Sequence, residues 1–267
     1  CFRPTFDSIP PGMLMAHTFD FLKEEYGFSR AYCLGVDVLW AKGYVGFLHN
    51  YLKETGWDIV GYDTYAVGAT DFSPALAKAK EGEAQLIAFG WDLPTGVGLF
   101  MKQSAGMRVP AITAGIMLGA SSWRSYETIG PELEYSLHGD TQLGASLPLE
   151  KWPPSVKFLD AYKAKYGDLP DSSYTNSVNY DSVYLVADAI ERAGSLDADA
   201  IVAALEKADY KGICGKYRFD ENHCAIYSED PDEAVATGVI FQWQNGERVP
   251  VYPARFAEGK VLVPPAE

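Results

Sequence analysis

The sequence predicts an α/β protein built on a doubly wound parallel sheet, with a mainly helical stretch and a terminal hairpin after it. Three observations carry this. Short apolar runs of strand length alternate with helix-period segments between residues 11 and 140. Glycines and capping residues fall at the joints between them. After Asp140 the alternation stops, and helical segments follow one another.

Taken in order, residues 11–26 (PGMLMAHTFDFLKEEY) put Met15, Phe19 and Leu22 on one stripe, and Gly27 stops the helix. AYCLGV (31–36) is a buried strand. Residues 40–56 form a helix with Tyr44, Phe47, Leu48, Tyr51 and Leu52 inward, ended by Gly56, and 57–67 form the next strand. Thr70 and Asp71 cap a helix over 71–82, with Pro74 in its first turn, where a missing N–H costs little. QLIAFG (85–90) is a strand, 94–105 a helix, 109–115 (VPAITAG) a strand, 121–126 a short helix and 136–140 a strand. TQLGASLPLEKWPPS is an aperiodic crossing segment. Helices follow at 154–166, 176–193 and 198–207; in the second, Val183, Val186 and Ile190 share a face. GICGKYRFD (212–220) is a turn and strand, 228–234 an acidic exposed loop, and 239–252 a hairpin about Asn245-Gly246.

The 267 residues suit one to two domains, and 48% hydrophobic content is ample for a core. A net charge of −14 and a pI near 4.7 argue against nucleic acid and against anionic lipid as partners. The longest apolar stretch, Ala111–Ala120, is half of the roughly 20 residues a membrane span needs, so no direct membrane insertion is expected. No charged n-region leads into an apolar h-region at the start, so no signal peptide is expected there. Cys33 reads as a small buried hydrophobe. Cys214 and Cys224 flank GKYRFDEN, and a disulfide across that hairpin is an open alternative.

The four histidines (His17, His49, His138 and His223) are scattered, and no nucleophile has a base beside it. No catalytic residue, metal or cofactor is expected. In a parallel sheet the ligand sits at the C-terminal ends of the strands, here Val36–Trp40, Gly90–Leu93 and Ala114–Leu118.

Residues 67–103 (VGATDFSPALAKAKEGEAQLIAFGWDLPTGVGLFMKQ), with FRPTFDS, FLDAYKAKYGDLP, NYDSVYLVADAIERAGS and VIFQWQNG in that order, resemble the leucine/isoleucine/valine-binding family of periplasmic solute-binding proteins, of the type I periplasmic-binding fold. The resemblance implies two α/β lobes joined by three crossovers that close on a small solute and deliver it to an ABC permease. It implies a periplasmic or other extracytoplasmic location. In that family about 120 residues, a small domain's worth, precede the FRPT segment. The chain then corresponds to a second lobe over 7–140, a returning segment of the first lobe with the hairpin over 141–253, and a tail over 254–267. Hinges are expected at Pro4–Asp7 and Asp140–Gln142.

The family's aromatic wall falls on Trp40 and Trp91; each serves equally well as a cap on the core. Thr113-Ala114-Gly115-Ile116-Met117 occupies the stretch where amino-acid binders place a carboxylate for the ligand ammonium, and it contains no acid. Asp92 or Asp37 are the substitutes, although Asp92 also suits a helix cap. Without them an aromatic or aliphatic carboxylate fits better than an amino acid. Ala114 and Gly115 stay in the candidate site, joined by Tyr180, Asn176 and Phe6, with core and hinge roles as the alternatives for Tyr180 and Phe6. A ligand-sensing regulatory domain of the same fold is the alternative function. An α/β enzyme fits less well, because tryptophans and glycines dominate the strand ends.

Overall fold

The computed structural model describes residues 1–5, 9–91, 94–171 and 176–265. The chain divides into two compact units: a sheet unit of residues 11–139 and 240–267, and a helical unit of residues 1–10 and 140–239. The terminal hairpin therefore belongs with the sheet, and not with the returning segment as expected. Its two strands extend the sheet beyond the 136–140 strand.

In the sheet unit the elements run α1 (Ile9–Tyr26), β1 (Arg30–Val36), α2 (Leu39–Glu54), β2 (Asp58–Tyr65), α3 (Ser73–Glu81), β3 (Leu86–Trp91), α4 (Pro94–Gly106), β4 (Ile112–Met117), the single turns α5 (Leu118–Ser121) and α6 (Ser125–Thr128), and β5 (Leu137–Asp140). The helical unit follows with α7 (Pro153–Tyr166), α8 (Asn176–Ala193), α9 (Ala198–Leu205) and four two-residue strands, β6 (Tyr210–Lys211), β7 (Lys216–Tyr217), β8 (Tyr227–Ser228) and β9 (Val235–Ala236). The hairpin strands β10 (Val239–Gln244) and β11 (Glu247–Tyr252) return to the sheet.

The strand order is β11-β10-β5-β4-β3-β1-β2. β1 to β5 are parallel where they pair, and β10 with β11 is antiparallel. From β1 the chain steps outward to β2, then crosses back to β3 and continues through β4 and β5. The direction of winding thus reverses between β1 and β3. That reversal is where the C-terminal ends of neighbouring strands open a crevice in a doubly wound sheet.

Local chemistry explains the elements. The α1 stripe Met15, Phe19 and Leu22 is buried together with Tyr44, Leu48 and Leu52 of α2 against β1, β3 and β4. Gly35 and Gly90 let α2 come close: a Cβ on either would stand 3.1 or 2.8 Å from Val45 Cγ2. Asn245 and Gly246 both take positive φ (53° and 80°), the geometry a two-residue hairpin turn requires. The strand expected over 109–115 lies instead at Ile112–Met117, because Pro110 has no N–H to give the ladder. The helix expected over 121–126 resolves into two single turns separated at Ser122–Arg124.

In the helical unit α8 buries Val178, Leu185 and Ala189 with Ala204, Leu205, Cys214, Tyr217 and Val235. The expected stripe of Val183 and Val186 faces out. Asp181 fastens α8 to the loop after β6. Its carboxylate accepts the N–H groups of Ile213 (2.8 Å) and Cys214 (2.9 Å) and the hydroxyl of Tyr217 (3.1 Å). Asp181→Ala leaves all three donors buried without this acceptor and should cost about 3 kcal/mol, read from the urea midpoint.

Cys214 and Cys224 are separate free thiols. The hairpin pairs Phe219 with Ala225, and Asp220 donates its N–H to the carbonyl of Cys224, so Cys224 stands level with Asp220. Cys214 lies several residues further along the strand, out of bridging range. Burial pushes the Cys33 thiol up to about 12, so it stays protonated.

Candidate ligand-binding site

Between the C-terminal ends of β1 and β3 the sheet unit carries two of the expected residues side by side on one connection. Asp37 follows β1 directly, donates its N–H to the Tyr65 carbonyl (2.6 Å) and forms an ion pair with Lys42, one turn into α2. Trp40 lies in the first turn of α2, half-buried, its ring 6.3 Å from that of Tyr44. Leu39 beside it is 90% exposed. No acidic residue occupies the first turn of α2, and no side chain caps it.

At the end of β3 the indole of Trp91 turns into the unit. It is 0% exposed, stacked on Phe89 (5.7 Å, 4° between planes) and edge-on to Phe72 (5.2 Å), with Phe100 completing the cluster against Phe89 (4.4 Å). The cluster packs α3 and α4 onto the sheet. Its Nε1 lies over Gly96 in the first turn of α4, where a Cβ would stand 2.2 Å away. The strand runs one residue beyond the expected 85–90, which carries Trp91 into the ladder opposite Met117. Of its two readings, the cap on the core is therefore the observed one. Asp92 lies outside the described residues.

β4 brings a further correction. Ala114 and Gly115 pair with Ala88 and Phe89 on one side and with Leu137 and His138 on the other, and both are buried. They are sheet interior. A Cβ on Gly115 would meet the Phe89 carbonyl oxygen at 1.7 Å. Gly115→Ala should therefore cost about 3 kcal/mol by overpacking backbone that cannot give way, visible as a lowered thermal midpoint. Beyond Ala114 and Gly115, Ile116 is half-buried, Met117 is buried, and Leu118, which opens α5, is 39% exposed. Leu39 and Leu118 lie within the strand-end stretches expected from the sequence without being singled out there, and Lys42 lies outside them; an apolar residue at a helix start carries no mark of which way it points.

In the helical unit Asn176 begins α8 and donates its side-chain N–H to the Ala145 carbonyl (3.0 Å). Tyr180, one turn on, is half-exposed, packed on Phe158 (5.1 Å) and Tyr184 (4.9 Å), and donates its hydroxyl to that of Tyr184 (3.4 Å). The hydrogen bond to Tyr184, then burial, raises its phenol above the ordinary range. Asn176 and Tyr180 line one groove of about 900 Å³ with Phe158, Tyr162 and Tyr210. Phe6 lies outside the described residues. Gln142 reaches back to the Thr5 hydroxyl (3.1 Å), tying the first two crossing segments together inside this unit.

No helix is long and apolar enough to cross a membrane among the described residues. Among those residues, no group of three His, Cys, Asp or Glu side chains is placed to hold a metal ion.

Comparison with known proteins agrees with this architecture. The Leu/Ile/Val-binding protein homolog 7 of Brucella abortus (strain 2308) is 24% identical over 221 residues, covering 80% of this chain and 53% of the relative. The chain thus spans about half the length of the curated relatives it matches. Two solved structures share the fold. A putative branched-chain amino acid ABC transporter protein from Silicibacter pomeroyi superposes with a TM-score of 0.81 at 21% identity, over 96% of this chain and 68% of that one. An ABC transporter solute-binding protein from R. palustris, in complex with benzoate, gives a TM-score of 0.69 at 16% identity, over 94% of this chain and 64% of that one. The periplasmic binding protein family profile matches residues 2–243. The chain belongs to the periplasmic binding protein family.

Proposed function

We infer that this chain is the larger part of an extracytoplasmic solute-binding protein serving an ABC permease, and that its sheet unit holds a small organic solute at the crevice between β1 and β3. One observation carries the reading: Trp40 stands, with an exposed Leu39 and a half-neutralised Asp37, on the connection that leaves the sheet where its winding reverses. A tryptophan there offers a broad apolar face and one N–H donor.

The chemistry of the edge favours a solute with an apolar or aromatic body. Leu39, Trp40, Ile116 and Leu118 surround the ends of β1 and β4, two strand spacings or roughly 10 Å apart. The Asp37 carboxylate is already met by Lys42, which leaves it little field to hold a ligand ammonium. An aliphatic or aromatic carboxylate therefore suits the edge better than an α-amino acid. The relative named for leucine, isoleucine and valine and the neighbour crystallised with benzoate mark the two ends of the range to test.

Isothermal titration calorimetry with leucine, isoleucine and benzoate is the test. Binding of a small carboxylate, weakened about tenfold to a hundredfold by Trp40→Ala at unchanged thermal midpoint, is the expected result. A folded protein that binds none of these solutes, or binds one equally well without Trp40, contradicts the reading.

A further inference from the structure

The hairpin turn of the sheet unit holds a reactive pair. Asn245 is exposed and is followed by Gly246, which has no side chain to keep its own backbone nitrogen away from the Asn245 carboxamide. In an unconstrained chain that nitrogen, once it has lost its proton, attacks Cγ of the asparagine. The N–Cγ bond forms, the bond from Cγ to the amide nitrogen breaks, and ammonia leaves. Water then opens the cyclic imide to aspartate or isoaspartate. The reaction needs only water, so the conformation of the turn is what sets its rate.

The turn is clamped at the nitrogen the reaction uses. Glu134, just before β5, accepts the Asn245 N–H at 2.8 Å on one carboxylate oxygen and the Gly246 N–H at 2.7 Å on the other. A proton shared with a carboxylate is hard to remove, because the negative charge disfavours a second anion beside it. The same two bonds aim the Gly246 nitrogen at Glu134 and fix both residues at positive φ. Glu134 is itself held in place. Tyr135, the next residue, takes a φ of 67° and donates its N–H to the Trp243 carbonyl (3.0 Å), and the Trp243 N–H returns to the Ser136 carbonyl (3.1 Å). The Tyr126 hydroxyl donates to the Glu134 carboxylate, and its ring lies against Gly246, where a Cβ would stand 3.2 Å from Cε1. An Asn-Gly turn closes a hairpin without such help, so a clamp from two other segments is more than the turn itself requires.

We propose that Asn245 is a latent deamidation site and that Glu134 is the positioning residue that keeps it closed. The proposal is independent of the solute reading above. Deamidation places a new carboxylate beside Glu134 and Glu247. The isoaspartate product also lengthens the backbone of a two-residue turn whose flanking pair, Gln244 and Glu247, is in register. Either product loosens the β10–β11 end of the sheet.

The test incubates the full chain in mildly alkaline buffer and follows Asn245 by peptide mass spectrometry and isoaspartate labelling. Wild type, Glu134→Gln and Glu134→Ala are compared well below their thermal midpoints, with the urea-unfolded wild-type chain as the open reference. Asn50 and Asn222, distant in sequence from the clamp, report on the incubation itself. Conversion at Asn245 in the native wild type should be at least about tenfold slower than in the unfolded chain. Glu134→Ala should raise the native rate several-fold. Glu134→Gln, which keeps the shape and one uncharged acceptor oxygen, should fall between the two, and it decides the matter if the alanine variant does not fold. Native wild type converting as fast as the unfolded chain overturns the proposal. A folded Glu134→Gln that converts at the wild-type rate overturns it as well, and would leave the turn geometry alone as the brake.

Discussion

Replacing Trp91 by alanine should destabilise the sheet unit by about 3–5 kcal/mol, the cost of removing a fully buried aromatic side chain and leaving a cavity. The ring holds Phe89 by stacking and Phe72 by its edge, so its loss loosens α3 and α4 from β3 together. Gly96 has no side chain to fall into the space, and the indole is what presently fills it. Urea unfolding followed by far-ultraviolet circular dichroism measures the loss. Trp40→Ala is the internal contrast, because Trp40 is half-buried in the first turn of α2 and leaves the cluster intact. If Trp91→Ala left the urea midpoint unchanged and only weakened solute binding, Trp91 would be a ligand wall and its placement in the core would be mistaken.

Acid should weaken the sheet unit through His138. Burial, with a smaller contribution from the positive Arg248, lowers its imidazole from 6.5 to about 3. The ring stacks on Phe241 (5.4 Å) and Nε2 meets the Ser136 hydroxyl at 2.7 Å, with that hydroxyl donating to the Leu133 carbonyl. Nε2 therefore carries the proton, and the neutral ring fits as it stands. The unfolded chain binds a proton here more readily than the folded one. The stabilisation from His138 is thus fully present above pH 6.5 and is lost as pH falls towards 3. A shift of this size corresponds to about 4–5 kcal/mol when the whole window is crossed. His138→Phe keeps the stack and removes the titration. Its stability should fall less steeply than wild type between pH 6.5 and 4. Parallel pH profiles for the two proteins would show that His138 is hydrated or charged in the folded state.

Asp181 has the opposite sense. Burial raises its carboxyl, against the lowering effect of the Cys214 and Ile213 N–H groups and the Tyr217 hydroxyl. Its contribution is full below the ordinary carboxylate range and declines as pH rises through the folded value. The two groups belong to different units, so unit-specific probes separate them.

Much of the sheet unit was legible because its signals are local. The α1 stripe, the stops at Gly27 and Gly56 and the Asn245-Gly246 turn each depend on a few adjacent residues, and each takes the conformation its chemistry requires. Asp71 accepts the Ser73 N–H at 3.0 Å, yet α3 opens at Ser73 with Phe72 at its N-cap and no side-chain cap, so neither Thr70 nor Asp71 is the cap expected for a helix starting at 71. What misled was information that is not local. α8 has two apolar sides, and periodicity has no means of choosing which one this chain buries. Trp91 and Trp40 look alike as tryptophans near strand ends, yet one extra ladder position takes Trp91 inside. The expected strand over 109–115 puts Ala114 and Gly115 at its end; Pro110 displaces β4 to Ile112–Met117, so of the expected stretch Ala114–Leu118 only Ile116 and Leu118 are open to solvent. The anchoring by Asp181 left no trace in the sequence, since its partners are thirty or more residues away.

The measurement that bears most directly on the central claim is a crystal structure of the protein with a bound solute found by calorimetry. The account predicts ligand density against the face of Trp40, with heavy atoms within about 4 Å of the ring, at the ends of β1 and β4. Density seated elsewhere, with Trp40, Leu39 and Leu118 all untouched, would contradict it.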